Sequence, residues 1–275
     1  MFCRSLRLFF VVLILPLVTE AKDLVFGVYT SEKASELYVQ LMPILEHVEK
    51  DLQSRGHDVH LRLKIVPSYL EGIRSIVQGS FDCARLGPAS FIMARKKNDR
   101  IQSLAIETEN GSEIIRGVFI VRTDSPIQSM SDLKDKRFAF GDRESTIGRF
   151  LSQAELVKNN IHAKDLNRYA YVGRHDKVAN AVLSKQFDAG VVHVNSFKKY
   201  ANLGLRAIAD FPNATKPWVC SSTTDLALVK SFREALLGIP KSSPVLKELK
   251  IDGFKDIDWS VLTSVQKGMK LAEQF

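Results

Sequence analysis

The chain has 275 residues, only three of them cysteine, and a formal net charge of +8. This cysteine content excludes a small disulfide-stapled scaffold, so the fold has to depend on a hydrophobic core. Three kinds of partner could account for the positive charge: an anionic ligand, an acidic membrane surface or nucleic acid. The lysines and arginines are scattered along the chain, so most of them are expected to be solvated surface residues.

Residues 1–21 have the pattern of a secretory signal peptide. Arg4 and Arg7 precede an apolar run over residues 8–18, and a cleavage point follows at Ala21. The run is shorter than the roughly 20 residues of a membrane-spanning helix, although an uncleaved N-terminal anchor is the alternative. We therefore expect a periplasmic protein, which does not have nucleic acid as a partner.

The first half of the mature chain alternates short apolar strands with amphipathic helices. One helix contains Pro43, as a kink or a restart, and ends at Gly56. Ser68 is the predicted N-cap of the next helix, which Gly79 ends. The strands are predicted at residues 24–29, 60–66, 81–86, 102–106 and 117–121, and the helices at 37–52, 69–78 and 89–97.

A turn cluster at residues 123–126 is followed by a second alternating series. Its strands are predicted at residues 137–140, 169–172, 188–194 and 205–208, and its helices at 147–159, 176–185 and 196–201. The chain then ends in helices near residues 231–237, 245–249 and 260–274, which we expect to pack on the first half.

Strands that alternate with helices predict an α/β fold with largely parallel sheets covered on both faces. Because the alternation restarts after residue 122, the sequence predicts two lobes. The first lobe comprises residues 22–122 and 211–275, and the second comprises residues 123–210.

Three predicted helices begin, directly after a strand, with small or hydroxyl-bearing residues at 87–90, 141–148 and 173–176. A helix N-terminus exposes unpaired N–H groups and carries a positive partial charge, so it suits an anion. Each of these turns taken alone is explained by ordinary N-capping. Dinucleotide, P-loop, zinc-protease and serine-hydrolase motifs are missing from the sequence, and no metal or cofactor is expected.

Residues 67–69, 82–90, 141–148 and 175–188, taken together and in this order, resemble the phosphonate-, phosphite- and phosphate-type periplasmic solute-binding proteins of ABC importers. The resemblance implies the type II periplasmic binding protein fold, in which two lobes, each a mainly parallel sheet flanked by helices, are joined by a two-stranded hinge. It implies a monomeric, non-enzymatic protein that captures a small oxyanion between the lobes. Its partner would be an ABC permease in the inner membrane.

The resemblance also implies site residues. The family holds the phosphorus oxyanion with a Ser-Thr-Ser-Gly segment, which Ser145, Thr146 and Gly148 match, whereas Ile147 replaces the second serine. One family tyrosine position falls on Ile115. The ligand-binding residues that we predict are Tyr69, Gly87, Pro88, Ala89, Ser90, Arg116, Ser145, Thr146, Gly148, His175 and Asn195.

Family members that bind aminoalkyl phosphonates hold the ammonium group with two carboxylates, whose positions correspond to Asn195 and Lys216 here. Since a buried unpaired cation is costly, the resemblance implies a pocket that rejects an aminoalkyl tail. Arg116 and Lys216, if they face the cleft, favour a more negatively charged ligand. Arg85 lies in a predicted buried strand and requires a partner, either the ligand or Asp82.

Two other functions are open from the sequence. A sensor with the same fold would report its ligand to a membrane kinase. An enzyme would use Cys83 as nucleophile, with His175 approaching as base from the opposite lobe. A bridge between Cys83 and Cys220 can form in an oxidising compartment, but two separate buried thiols are the favoured prediction.

Overall fold

The computed structural model describes residues 21–275, so the predicted signal peptide lies outside the described residues apart from Ala21. The strands are β1 (Lys22–Tyr29), β2 (Val59–Val66), β3 (Cys83–Arg85), β4 (Gln102–Thr108), β5 (Ile114–Arg122), β6 (Arg137–Phe140), β7 (Arg168–Tyr171), β8 (Ala189–His193), β9 (Leu205–Ala214), β10 (Pro217–Cys220) and β11 (Gly253–Lys255). The α-helices are α1 (Ala34–Ser54), α2 (Tyr69–Gln78), α3 (Pro88–Lys97), α4 (Ser152–Lys158), α5 (His175–Leu183), α6 (Val194–Tyr200), α7 (Leu226–Leu237) and α8 (Trp259–Leu271). Within this range, no helix has the length and apolar character to cross a membrane.

Local signals place several helices where the sequence predicts them. Ser68 caps α2, because its side chain accepts a hydrogen bond from an N–H of the first turn at 3.2 Å. Gly79 ends that helix with a φ of 78°, a left-handed conformation that glycine adopts without strain. Pro43 lies inside one continuous α1. The helix predicted at residues 147–159 begins as a π-helix, Thr146–Leu151, and continues into α4.

The strands form two sheets, ordered β11-β4-β10-β3-β1-β2 and β7-β6-β8-β5-β9, which confirms the α/β class. Parallel pairing is confined to β1 with β2 and β3, and to β6 with β7 and β8. Each sheet is therefore mixed rather than mainly parallel as predicted. In the first sheet the reason is that β10 returns from the second sheet and inserts antiparallel between β3 and β4.

The chain crosses between the sheets in two adjacent segments, residues 109–113 and the dipeptide Thr215-Lys216. The Thr215 N–H donates to the Glu113 carbonyl at 2.8 Å, and the Glu107 N–H donates to the Lys216 carbonyl at 3.2 Å. The first bond joins the two segments, and the second joins the end of β4 to Lys216, so the segments run side by side as a two-stranded connection.

The change of sheet does not coincide with the lobe boundaries predicted from the sequence. β5 pairs with β8 and β9 in the second sheet, although the prediction assigns residues 22–122 to the first lobe. β9 also stays in the second sheet as far as Ala214, beyond the predicted return at residue 211. The turn cluster at residues 123–126 follows a strand of the second sheet, so it does not mark the boundary.

The C-terminal helices divide between the two sheets. α7 packs on α1, and Phe232 of α7 stacks on Phe26 of β1 with ring centroids 6.2 Å apart. α8 contacts α3 on one side, and the π-helix and α4 on the other. Phe275 packs edge-on against Phe140 of β6 at 5.4 Å. The prediction that the terminal helices pack on the first lobe therefore fits α7, whereas α8 lies across both sheets.

A disulfide bond joins Cys83 of β3 to Cys220 of β10. The two residues are direct cross-strand neighbours in the antiparallel register, which brings their sulfur atoms together. The favoured prediction of two separate thiols is therefore wrong. The pairing depends on the insertion of β10 beside β3, which the sequence does not show locally.

Candidate functional site

A cavity of about 70 Å³ lies between the two sheets, beside the two crossover segments. Tyr29 at the end of β1 and Arg85 at the end of β3 line it from the first sheet. His193 at the end of β8 and Ser145 after β6 line it from the second sheet. The cavity thus lies beyond the carboxyl ends of strands, which is where ligands bind in α/β folds.

Helix N-termini from both sheets meet at this cavity. α3 begins at Gly87-Pro88, and the π-helix begins at Ser145-Thr146. The Ser145 hydroxyl accepts a hydrogen bond from the Gly148 N–H at 3.0 Å. The Thr146 hydroxyl accepts one from the Ala89 N–H, also at 3.0 Å, so it caps α3 from the opposite sheet. Hydroxyls and N–H groups at helix N-termini are suited to the oxygens of an anion, which would compete with these internal hydrogen bonds.

Two stacked tyrosines form one wall, with ring centroids 3.9 Å apart. The Tyr29 hydroxyl donates to the Ser90 hydroxyl at 3.0 Å and accepts from the Gly87 N–H. The Tyr69 hydroxyl is hydrogen-bonded to Ser145. Burial raises the pKa of Tyr29 to about 12 and raises the pKa of Tyr69 well above its ordinary value. Both hydroxyls therefore keep their protons and can donate at neutral pH.

Two histidines, the buried His175 and the half-buried His193, line the second-sheet side and are neutral at neutral pH. Burial lowers the pKa of His175 to about 4 and lowers the pKa of His193 well below its ordinary value. His193 Nδ1 accepts the Asn195 N–H at 3.0 Å and so caps α6. Within residues 21–275, His175 Nδ1 is buried without a hydrogen-bond partner. A guest in the cavity would satisfy this atom.

Arg85 is neutralised inside the protein. Its guanidinium donates to both Glu107 oxygens, one of them at 2.9 Å, and Trp218 Nε1 donates to the same carboxylate at 2.8 Å. Glu107 therefore takes the place of Asp82, one of the two partners predicted for Arg85, while Arg85 also lines the cavity. The Asp82 carboxylate accepts the Val25 N–H at 2.7 Å instead.

Charged groups of both signs surround the rest of the cavity. Burial and the neighbouring Arg85 lower the pKa of Lys216 to about 8. Burial and Glu107 raise the pKa of Glu109, which accepts a long hydrogen bond of 3.4 Å from Asn195. Burial opposes ionisation of Glu32, but Lys216 and a hydrogen bond from a glutamine outweigh it, and the Glu32 pKa lies below its ordinary value.

The structure brings seven of the eleven predicted site residues to the cavity wall: Tyr69, Gly87, Pro88, Ser145, Thr146, His175 and Asn195. Ala89, Ser90 and Gly148 lie outside the wall and support it through the hydrogen bonds described above. The predicted position of Arg116 in the cleft is wrong, because Arg116 is exposed and pairs with Asp210.

The error at Arg116 follows from the alternation of side chains along a strand. Ile115 lines the cavity, so its neighbour in β5 points to the other face of the sheet. Several cavity residues carry no local motif and were not predicted from the sequence: Tyr29, Glu32, Glu107, Glu109, His193 and Asn213. Tyr29 alone had a usable signal, since it ends a predicted strand.

The enzyme alternative fails on its nucleophile. Cys83 is bonded to Cys220 and has no free thiol, so it cannot attack a substrate. Within the described residues, no group of three or more His, Cys, Asp or Glu side chains could hold a metal ion.

Comparisons with known proteins agree with this geometry. Residues 26–262 match the family described as "ABC transporter, phosphonate, periplasmic substrate-binding protein". The "Phosphonates-binding periplasmic protein" of Escherichia coli K12 is 32% identical over 187 residues, which are 66% of this chain and 53% of that protein. The "Probable ABC transporter phosphite binding protein PhnD1" of Prochlorococcus marinus MIT 9301 is 24% identical over 200 residues, 70% of this chain and 65% of that protein. The chain thus spans about half to two thirds of these curated relatives.

Solved structures show the same fold over nearly the whole chain. PhnD1 of Prochlorococcus marinus, in complex with methylphosphonate, has a TM-score of 0.83 at 18% identity, covering 93% of this chain and 100% of that one. A binding protein component of an ABC phosphonate transporter from Pseudomonas aeruginosa has a TM-score of 0.80 at 19% identity, covering 92% and 87%. By the match over residues 26–262, this chain belongs to the family of periplasmic substrate-binding proteins of phosphonate ABC transporters.

Proposed function

We propose that the protein is the periplasmic solute-binding component of an ABC importer. Its ligand is a small phosphorus oxyanion of the phosphonate, phosphite or phosphate type. The observation that carries the proposal is the meeting of two helix N-termini from different sheets, joined by the Ala89 N–H to Thr146 hydrogen bond of 3.0 Å. An oxyanion placed there would bind to both sheets at once.

Each contact of the proposed site has a physical role. Ser145, Thr146 and Tyr69 offer hydroxyl donors, and the start of α3 offers backbone N–H groups with a positive partial charge. His175 offers a neutral ring nitrogen without a protein partner among the described residues. Relatives bind the same class of molecule, since PhnD1 holds methylphosphonate and the Escherichia coli protein is named for phosphonates.

The proposed cycle depends on two lobes. We assign the first sheet with α1–α3 and α7 to one lobe, and the second sheet with α4–α6 to the other, which moves the sequence boundary of residue 122 to the crossover segments. Ligand that bridges the lobes stabilises the closed state, and the inner-membrane permease recognises that state. The protein acts as a monomer and without a cofactor.

The test is a ligand panel on the purified mature chain. Methylphosphonate, phosphite and phosphate are compared with sulfate and methanesulfonate by thermal unfolding and by isothermal titration calorimetry. At least one phosphorus oxyanion should raise the melting temperature and bind with a measurable Kd, because a ligand that binds only the native state stabilises it. Failure of every phosphorus oxyanion in both assays overturns the proposal.

A pair of matched variants localises the site. Thr146→Val keeps the side-chain shape but removes the hydroxyl, and it should weaken binding by about tenfold or more. Thr263→Val makes the same change at an exposed position of α8 and should bind like the wild type. Equal affinity in the two variants would place the ligand elsewhere.

Transport and sensing are separated in cells. A strain without the protein should lose uptake of the radiolabelled ligand that the panel identifies. Uptake that persists together with the loss of a ligand-dependent transcriptional response would favour the kinase-linked sensor instead.

A further inference from the structure

Lys216 is a cation held in a fixed position at the cavity. It lies in the second crossover segment, where its carbonyl accepts the Glu107 N–H at 3.2 Å. The neighbouring Thr215 hydroxyl donates to the Glu107 carbonyl at 2.5 Å. The side chain of Lys216 lines the cavity and is half-buried. The backbone of the crossover therefore sets where the ammonium group can reach.

The other ionisable groups near Lys216 form contacts of their own, with a charged partner for Glu107 and with neutral amides for Glu32 and Glu109. Glu107 holds Arg85, Glu32 accepts from Gln40 at 3.2 Å, and Glu109 accepts from Asn195 at 3.4 Å. A second cavity-lining cation, Lys199, pairs with Glu36 at 3.0 Å. Lys250 also lines the cavity but is exposed at its rim.

Lys216 itself forms none of the ion pairs found between residues 21 and 275. Burial and Arg85 lower the pKa of its ammonium group to about 8 even though three glutamates are near. In the described residues the ammonium group therefore has no directly paired carboxylate, although Glu32 and Glu109 line the same cavity. An anion within hydrogen-bond distance would compensate the ammonium charge.

We propose that Lys216 donates a charge-assisted hydrogen bond to the bound oxyanion and selects a compact dianion that has no ammonium group of its own. This inference rests on the proposed function and assigns the specificity of that site. The ligand class is the small phosphorus dianion, such as methylphosphonate, phosphite or phosphate.

The cavity volume supports a compact ligand. A water molecule needs about 10–15 Å³ of such volume, so a cavity of about 70 Å³ holds roughly five to seven water-sized atoms. Methylphosphonate, phosphite and phosphate have about this number of non-hydrogen atoms. 2-Aminoethylphosphonate has two more such atoms than methylphosphonate, and its ammonium group would enter the cavity that Lys216 lines.

Glu32 and Glu109 are the groups that could oppose this selection, since a carboxylate can hold an ammonium. Each already accepts a side-chain amide hydrogen bond, from Gln40 and Asn195 respectively. The raised pKa of Glu109 also weakens it as a counter-ion. Lys216 is thus the group that we expect to discriminate against a cationic tail, and Glu32 and Glu109 are the groups against which the experiment weighs it.

The experiment compares methylphosphonate with 2-aminoethylphosphonate by calorimetry on three proteins at pH 7. The wild type should bind methylphosphonate about tenfold or more tightly than 2-aminoethylphosphonate. Lys216→Met should lose about 10- to 100-fold in methylphosphonate affinity, as expected for a hydrogen bond to a charged group. It should also reduce the ratio of the affinities for methylphosphonate and 2-aminoethylphosphonate. Lys230→Met makes the same change at an exposed position of α7 and should match the wild type.

The outcomes separate the two proposals. A wild type that binds no phosphorus oxyanion overturns the proposed function. If the wild type and Lys216→Met bind methylphosphonate equally well, the role of Lys216 is overturned and the proposed function stands. If Lys216→Met does not fold, Lys216→Arg replaces it and should keep most of the preference. A wild type that prefers 2-aminoethylphosphonate also overturns this inference.

Discussion

His175 is buried as a neutral imidazole, with a pKa lowered to about 4 by burial. In the unfolded chain its pKa returns to about 6.5, so the unfolded state takes up a proton first as the pH falls. The contribution of neutral His175 to the free energy of unfolding is therefore fully present above about pH 6.5. It is lost progressively as the pH falls from there to about 4. This pKa shift corresponds to a loss of roughly 3 kcal/mol in the free energy of unfolding.

The measurement is urea unfolding of the ligand-free protein at several pH values between 7 and 4. His175→Gln should reduce the loss of unfolding free energy across this window, whereas His47→Gln in α1 should not. Some pH dependence will remain in His175→Gln, because the pKa of His193 is lowered by burial as well. The same acid loss in wild type and His175→Gln would contradict the assignment.

At the scale of single residues, the sequence predicted the part of the site that lies in turns between a strand and a helix. Ser145 and Thr146 follow a strand and begin a helix, so their position at a ligand-binding edge can be predicted. Glu32 lies in the loop between β1 and α1, and Glu109 lies in the first crossover segment. Neither belongs to a recognisable sequence motif. Arg116 was misplaced because which face a strand residue occupies depends on the register of its partners.

At the scale of elements, two glycines fix how the π-helix meets β6. The Gly141 N–H donates to the Gly148 carbonyl at 2.7 Å. A Cβ added at Gly148 would lie 2.7 Å from the Gly141 Cα, and this neighbour is backbone that cannot rotate away. Gly148 therefore supports the site by close packing and does not line it.

Gly148→Ala should push the π-helix away from β6. We expect the free energy of unfolding to fall by about 1–3 kcal/mol, as for overpacking of a dense interior. Ligand affinity should fall too, because Ser145 and Thr146 move with the helix. Urea unfolding and calorimetry on the same variant measure both effects, and unchanged values in both would rule out a packing role.

The disulfide joins elements that are 137 residues apart in the chain. Closing so long a loop restricts the unfolded state, so the double variant Cys83→Ala/Cys220→Ala should lose about 4–5 kcal/mol of unfolding free energy. Chemical denaturation with and without a reductant measures it. The reductant should destabilise the wild type and leave the double variant unchanged, and equal stability of the two oxidised proteins would contradict the prediction.

Among the elements, those with local start and stop signals were predicted well. α2 has both its serine cap and its terminal glycine, and its bounds agree with the structure. The sheet membership of β5 and the place of β10 were not predictable in the same way. They depend on pairing between strands that are distant in the sequence, and strand composition does not specify it.

For the whole molecule, the hydrogen bond between Ala89 and Thr146 couples the relative position of the two sheets to one hydroxyl. Thr146→Val removes this bond, so the ligand-free variant should populate more open arrangements than the wild type. Small-angle X-ray scattering should then report a larger radius of gyration for Thr146→Val, while Thr263→Val should match the wild type. Identical scattering from all three ligand-free proteins would show that this bond does not hold the lobes together.

Under the proposed function, the same hydrogen bond has a consequence for the ABC importer. It allows the receptor to close without a ligand, because the Thr146 hydroxyl accepts the Ala89 N–H that an oxygen of the ligand would otherwise accept. An empty receptor in this shape presents the permease with the outline of a loaded one. Such encounters would trigger ATP hydrolysis without import. A stronger Ala89–Thr146 hydrogen bond would therefore increase the futile ATP hydrolysis of the importer when the ligand is scarce.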